Sequence, residues 1–239
     1  CEHSFPTRRS SDLVIYMKDD KIKLEEMSSF FNNRADGYEE HMMNNVDGAD
    51  KYYIETAKLI PKINGLKLLD LGCGTGLELD EIFKINPTVM VTGVDLAKDM
   101  MEKIKQKHSD KLSQLNLIVD SYFSYDMGEF VFDVALSVET LHHFTHKEKT
   151  KLYKKIFKSL KPNGFYIETD YIAPNQDYED FHFNENKRIR SELGITDGFY
   201  HYDTPCTVKN QIQMLYNVGF KSVKKIWQHE NTVILLAIK

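Results

Sequence analysis

Leu68-Leu69-Asp70-Leu71-Gly72-Cys73-Gly74-Thr75-Gly76 places an acid and three alternate glycines directly after an apolar run. Leu77-Glu78-Leu79-Asp80-Glu81-Ile82-Phe83 follows and reads as a helix. Strand, tight glycine loop and helix, in that order, hold a nucleotide-like ligand at the carboxyl end of a parallel strand. Glycine suits the loop because it takes turns closed to other residues and lets a ligand approach the main chain. The spacing is G-x-G-x-G. A dinucleotide fingerprint needs a small residue at position 77, and this chain has Leu77, which argues against NAD and for another adenosyl ligand.

The elements that must position this loop follow from hydrophobic pattern. Strand one covers 66–71 and its helix 77–85. Strand two is 89–94, ending in Asp95, and the next helix buries Ala97, Met100, Met101 and Ile104 at i, i+3, i+4 and i+7. Strand three is 115–119, ending in Asp120, and strand four is 131–138. A helix over 147–160 leads through the turn Lys161-Pro162-Asn163-Gly164 to strand five, 165–171. Strands alternating with helices imply a parallel sheet covered on both faces. Residues 172–206 interrupt the alternation and hold one expected helix near 177–193. Thr207 then caps a helix closed by Gly219, and strands 220–227 and 231–238 follow, separated by Gln228-His229-Glu230. A terminal hairpin cannot be all parallel. Before strand one, Ser28 or Ser29 can cap a helix running through Tyr38 to Met43, with Gly37 as its weak point. A second helix over 49–60 stops at Pro61, and the two can fold over the ligand mouth.

Composition bounds the function. At 239 residues with 41% hydrophobic and 28% charged residues, the chain suits one globular domain with an insertion. A net charge of −5 leaves no electrostatic footprint for nucleic acid, which lowers the standing of an RNA substrate without removing it. Cys1, Cys73 and Cys206 are too scattered for a disulfide framework or a zinc site, so a cytoplasmic location is expected. No apolar run approaches the roughly 20 residues of a membrane span, and no secretory leader is read at the start. No set of Glu, His and Cys shows metal-ligand spacing, and no metal is expected. Glu2 to Leu13 resembles one reading frame of a common sequencing-adapter end, so residues 1–13 are read as non-native and 14–27 as a remnant of uncertain structure.

Residues 28–239 resemble the class I, Rossmann-like S-adenosylmethionine-dependent methyltransferases. The resemblance rests on Leu68 to Gly76, Gly93-Val94-Asp95, Phe132-Asp133-Val134 through Leu141-His142-His143-Phe144, Leu160 to Gly164, and the terminal hairpin. It implies an α/β fold: a doubly wound, seven-stranded, mostly parallel sheet with an antiparallel C-terminal hairpin, an N-terminal helical cap and a substrate-lid insertion (172–206) after strand five. The cofactor it implies is S-adenosyl-L-methionine. Gly72, Cys73, Gly74 and Gly76 would face its amino-acid part, and Asp70 would fix the loop or meet the methionine ammonium. Asp95, with Leu96, would accept from the ribose hydroxyls. Asp120, Ser121 and Tyr122 would lie at the adenine, with Ser137 and Tyr38 also near the cofactor.

Methyl transfer is an in-line displacement from a sulfonium, in which the protein aligns the nucleophile and excludes water. A general base is needed only for an acceptor that binds protonated. Candidates at the ends of strands four and five are Ser137, Glu139, His142, His143, Asp170 and Tyr171, with His142, His143 and Tyr171 placed as the catalytic set. The insertion offers Tyr178, Phe181, His182, Phe183, Phe199 to Tyr202, Lys187, Arg188 and Arg190, which could sandwich a planar ring and hold an anion. A small-molecule acceptor is the leading expectation. Two alternatives stand beside it: a branch that alkylates a wobble uridine of tRNA with a carboxylated cofactor, which needs an Arg with no matching motif here, and a non-catalytic cofactor-binding protein acting through partners.

Overall fold

Strands buried on both faces belong at the centre of a parallel sheet, and β4 is that strand here. In the computed structural model, which describes residues 23–239, β1 (Lys67–Leu71), β2 (Met90–Asp95), β3 (Leu115–Val119), β4 (Phe132–Val138) and β5 (Leu160–Ala173) run parallel in the order β3-β2-β1-β4-β5. A two-residue β6 (Cys206–Thr207) pairs parallel with Ile172 and Ala173 at the end of β5. β7 (Ser222–His229) and β8 (Thr232–Ile238) complete the sheet, with β8 antiparallel to both β5 and β7. The expected seven strands are present, and β6 is the addition. The expectations for residues 1–13 and 14–22 lie outside the described residues.

Helices cover both faces. α1 (Met27–Asn32), α2 (Tyr38–Asn45), α3 (Ala49–Ala57), α4 (Leu77–Ile85) and α5 (Lys98–Lys107) precede β3. α6 (His146–Ser159), α7 (Gln176–Glu192) and α8 (Val208–Val218) follow β4. One apolar cluster joins Tyr52, Leu79, Ile82 and Met101 of α3, α4 and α5 to one face. Another joins Leu152, Tyr153, Ile156 and Leu215 of α6 and α8 to the other. Each face thus removes apolar side chains from water, at about 25 cal/mol per Å2.

Three local differences from the sequence reading have physical causes. The single helix expected over 28–43 divides into α1 and α2, because Gly37 takes φ +83° with nothing within 4 Å of where a Cβ would stand. The cap of α1 is Glu26, whose carboxylate accepts from the Ser29 N–H at 2.9 Å, rather than Ser28 or Ser29. The final hairpin turns at Glu230, φ +46°, so β7 extends to His229. Lys161 to Gly164 bulge out between the pairs Phe132–Leu160 and Val134–Phe165, with Asn163 left-handed, as the turn chemistry required.

The insertion is tied down by one buried acid. Glu179 of α7 accepts from the Thr207 N–H and from Asn210 Nδ2 at 2.7 Å, and its Oε1 lies 2.7 Å from His146 Nε2 in an ion-pair contact. Burial alone would raise this carboxyl, but His146, Thr207 and Asn210 outweigh it and hold it at about 2. Cys206 and Glu179 in turn raise His146 to about 9. Among the described residues no helix is long and apolar enough to cross a membrane.

Candidate active site

The glycine loop sits at the carboxyl end of β1, beside the ends of β2 and β4. Gly72 has φ +72° and donates its N–H to the Val94 carbonyl at 2.8 Å. A Cβ there would overlap the Thr140 side chain, so this position stays bare for the protein's own packing. Gly74 differs. It has φ +48°, donates its N–H to Asp95 Oδ2 at 2.8 Å, and a Cβ would meet only Met100 Sδ at 3.7 Å. Its open side is the one a ligand can approach. Gly76 begins α4 at φ +74°, against Ile104 and Leu79.

Two buried acids beside this loop lack donors. Asp70 is 1% exposed, and no N–H or hydroxyl donates to either carboxylate oxygen. Glu78, in the first turn of α4, is also buried and its Oε1 has no donor. Burial, with the neighbouring Glu78 and Asp95 charges, pushes Asp70 well above the usual carboxylate range. Burial likewise pushes Glu78 up to about 7. Unpaired buried carboxyls are costly, and a cation brought by a ligand would neutralise them. S-adenosylmethionine carries an ammonium and a sulfonium, so the residues present fit that cofactor.

Asp95 has a double task. Its Oδ1 accepts from the Ala97 N–H at 2.7 Å and its Oδ2 from Gly74, which holds the loop against the start of α5. Each oxygen has a second lone-pair direction, enough for ligand hydroxyls. Burial raises its pKa, while the N–H groups of Ala97, Gly74 and Leu96 pull it back. Tyr38 packs with Phe31 against Ala97 and Met100 and so rims this end. Asp120 is exposed, with Oδ1 accepting from the Ser121 N–H at 2.7 Å and from Ser124 Oγ at 2.9 Å.

Two expected cofactor contacts, Cys73 and Ser137, point elsewhere, while the Tyr122 hydroxyl stays beside the Thr140 side chain at the glycine loop. The Cys73 side chain is buried against Gly93, where a Cβ would come 2.9 Å from its Sγ, so Cys73 can offer only main chain. Tyr122 is buried among Phe123 and Phe144, with its hydroxyl 3.3 Å from Thr140 Oγ1. Ser137 is 1% exposed and shares a 2.6 Å hydrogen bond with the Tyr166 hydroxyl inside the core.

The other half of the cleft gathers after β4. Glu139 takes φ +51°, a sparse region for a side chain of its size, and its N–H donates to the Thr169 carbonyl at 2.8 Å. Leu141–His143 then form one 3-10 turn. His142 Nδ1 lies 2.6 Å from Asp170 Oδ1. Lys149 of α6, fully buried, lies 3.9 Å from Asp170 Oδ2 and 4.0 Å from Glu168 Oε1. Burial raises Asp170 to about 6 against the pull of Lys149 and His143, and raises Glu168 to about 7.

The insertion delivers Asp203 and His201 to the same place. Asp203 Oδ1 lies 3.2 Å from His143 Nδ1 and 3.6 Å from His142 Nε2. Thr204 locks this approach, because its N–H donates to the His142 carbonyl at 2.6 Å and its hydroxyl to the same oxygen at 3.2 Å. His201 stacks on Phe30 of α1 at 3.6 Å and leans on His143 at 4.8 Å. A short backbone ladder roofs the cleft: Glu26 bridges Tyr200, Met27 N–H reaches the Phe199 carbonyl at 2.9 Å, and His201 N–H reaches the Glu25 carbonyl at 3.0 Å. Phe31 touches His143 and His201 on one side and Tyr38 on the other, so α1 spans both halves.

His142 and His143 therefore meet as expected, but Tyr171 does not join them through its hydroxyl, which bonds Tyr178 at 2.6 Å. The aromatics and arginines of the insertion find partners within the chain, and one arginine–aromatic contact forms, Arg190 standing 5.3 Å over the Tyr200 ring. Phe199 packs on Phe123 and Phe144, Phe183 on His146, and Arg188 pairs with Glu185 and Glu192. Arg190 donates to the carbonyls of Asp197 and Gly198. Asp203, Thr204 and Lys149 were missed by sequence reasoning, since no local motif marks them.

Comparison with known proteins agrees with this geometry. Residues 68–164 match a family described as a methyltransferase domain. The carboxy-S-adenosyl-L-methionine synthase of Campylobacter fetus subsp. fetus is 25% identical over 207 residues, covering 79% of this chain and 86% of the relative. Its counterpart from Campylobacter lari is 24% identical over 247 residues, covering 93% and 100%. Among solved structures, Haemonchus contortus phosphoethanolamine N-methyltransferase 2, in complex with S-adenosyl-L-methionine, superposes with a TM-score of 0.65 at 16% identity, over 90% of this chain and 60% of the other. With its glycine loop, its β3-β2-β1-β4-β5-β8-β7 sheet and the domain matched over residues 68–164, the chain has the fold of the class I, Rossmann-like S-adenosylmethionine-dependent methyltransferases and carries a methyltransferase domain.

Proposed function

We propose that this enzyme transfers the methyl group of S-adenosylmethionine to a small-molecule acceptor held under the roof of α1 and residues 199–203. The observation that carries the donor half is the buried Asp70–Glu78 pair, to whose Asp70 oxygens and Glu78 Oε1 no donor among the described residues is hydrogen-bonded. Asp70 and Glu78 would hold the ammonium, Asp95 the ribose hydroxyls, and Asp120 with Ser121 the adenine edge. When bound, the cofactor supplies the electrophilic methyl group. The chain supplies position: α1 and the insertion exclude water, and Asp170 fixes the ring of His142 by its bond to Nδ1. An acceptor that binds protonated can release its proton toward His142 and His143. Both described cysteines are buried and unpaired, which fits a reducing compartment, and we place the enzyme in the cytoplasm. Incubation with methyl-labelled cofactor and a fractionated cell extract tests the acceptor. Label should enter the low-mass fraction; label confined to RNA or protein would replace this class.

A second reading takes its support from the Campylobacter relatives named as carboxy-S-adenosyl-L-methionine synthases. In it the chain makes or uses a carboxylated cofactor, with tRNA as the eventual acceptor. The described arginines weigh against it: Arg34 pairs with Glu25, and Arg188 and Arg190 are engaged within the insertion. Mass spectrometry of the cofactor released from the purified protein separates the readings. A carboxylated species, or tRNA retention that weakens with salt, would favour the second.

A further inference from the structure

We propose that His142, His143 and Asp203 form a site for one divalent transition-metal ion of the zinc type, whose open position takes an oxygen of the acceptor; with the ion bound, the two histidines act as ligands in place of proton acceptors. The proposal rests on the reading that the acceptor occupies this half of the cleft. One ligand atom from each residue can be chosen so that all three lie within 4.8 Å of one another. Zinc sits about 2.0–2.1 Å from nitrogen and oxygen ligands in a tetrahedron, so neighbouring ligand atoms stand about 3.4 Å apart. The edges here are 3.2 Å from Asp203 Oδ1 to His143 Nδ1 and 3.6 Å to His142 Nε2. Two imidazoles and a carboxylate suit zinc and its first-row neighbours rather than magnesium or calcium.

The surroundings are those of a ligand set. A metal-bound histidine normally gives its other ring nitrogen to a carboxylate, which fixes tautomer and orientation. His142 does so, with Nδ1 2.6 Å from the buried Asp170. That edge is too short for two ligands of one ion and reads as the supporting bond. The two bonds from Thr204 to the His142 carbonyl set Asp203 in place without any ion. The histidine side chains are 2% exposed and that of Asp203 is 19% exposed, so the site opens on one side only. Three protein ligands with one open position is the catalytic form of a zinc site, in which the ion polarises a bound oxygen. The neighbouring set His146, Glu179 and Cys206 makes the contrast. Glu179 already accepts two hydrogen bonds and pairs with His146, and the Lys149 ammonium beside Cys206 repels a cation.

Cobalt(II) is the direct probe, because a tetrahedral site gives it strong visible absorption. The chelator-treated full chain should take up one Co2+ with such a spectrum, and Zn2+ should bleach it. Asp203→Ala and His143→Ala should each weaken Zn2+ binding at least tenfold by calorimetry, and Asp170→Asn by about 10- to 100-fold. His41→Gln, an exposed histidine on α2 remote from the set, should leave Zn2+ affinity unchanged. S-adenosylmethionine affinity should be the same in Asp203→Ala as in the parent, so loss of cofactor binding would speak to the methyltransferase reading and loss of metal binding to this one. A parent protein without stoichiometric Co2+ uptake overturns the site and leaves a histidine–carboxylate hydrogen-bond network in its place. That measurement needs no variant to fold. Unchanged Zn2+ affinity in a folded Asp203→Ala overturns it equally.

Discussion

The two halves of the cleft use the same buried acids in opposite ways. At the donor half, Asp70 and Glu78 face each other with no cation among the described residues hydrogen-bonded to them, and only the Lys107 charge acts on Glu78 from beyond. At the acceptor half, Glu168 and Asp170 are equally buried, but Lys149, His142, Tyr153 and Gln211 surround them. The first arrangement is incomplete until a cationic ligand arrives, so some folding stability is given up for affinity. The second carries its own cation within the chain, with Lys149 Nζ 3.9 Å from Asp170 and 4.0 Å from Glu168, so its charge is balanced before any acceptor binds. Charge alone thus separates a half that waits for its ligand from a half that is already assembled.

The sharpest way to break this contrast is to remove one charge from each half. Lys149→Met strands two buried carboxyls and should lower unfolding free energy by about 3–5 kcal/mol in urea titration. Asp70→Asn should do the reverse in the cofactor-free protein, raising stability while weakening cofactor binding. A destabilised Asp70→Asn would end the comparison. Asp95→Ala removes the acceptor of two loop N–H groups and, on the proposed reading, of the ribose hydroxyls, and calorimetry should show cofactor Kd rising about 30-fold, near 2 kcal/mol.

A pH series adds the sign. Glu78 holds its proton to about 7 when folded, whereas an unfolded Glu releases it near pH 4.3. The native state then binds the extra proton between those values, so this group's contribution falls as pH rises. From pH 6 to 8 the loss is about 1.4 kcal/mol. Cofactor-free protein should melt lower at pH 8 than at pH 6, and cofactor binding should release protons, seen as a buffer-dependent binding enthalpy. The smallest effect belongs to Tyr178→Phe, which removes one bond to Tyr171 and should cost about 1 kcal/mol by chemical denaturation.

The donor half was readable because it is contiguous. Strand, glycine loop and helix fall within residues 66–85, and local pattern placed β1 and α4 within a residue of their observed bounds. What pattern does not encode is which way a side chain faces where a strand ends. Ser137 lies near the carboxyl end of β4, yet points at Tyr166 beneath the sheet, and Cys73 fills the space that Gly93 leaves. The acceptor half was only half legible. His142 and His143 stand out as a pair, but Asp203 arrives from the far end of the insertion, and its approach depends on Thr204 meeting a backbone carbonyl. No spacing rule describes an encounter of that kind.

The two-residue strand β6 has a consequence for how this enzyme can change. Because Cys206 and Thr207 pair with Ile172 and Ala173, the chain leaves the sheet and returns to it at adjacent points. Residues 174–205 therefore behave as a cassette on a closed stem. Doubling the length of such a loop costs only about 0.6 kcal/mol in closure entropy. A segment of different length and chemistry can replace it without disturbing the register of β5 or β8, so that, on the proposed reading of this segment as acceptor-facing, acceptor preference can drift while the glycine loop stays as it is.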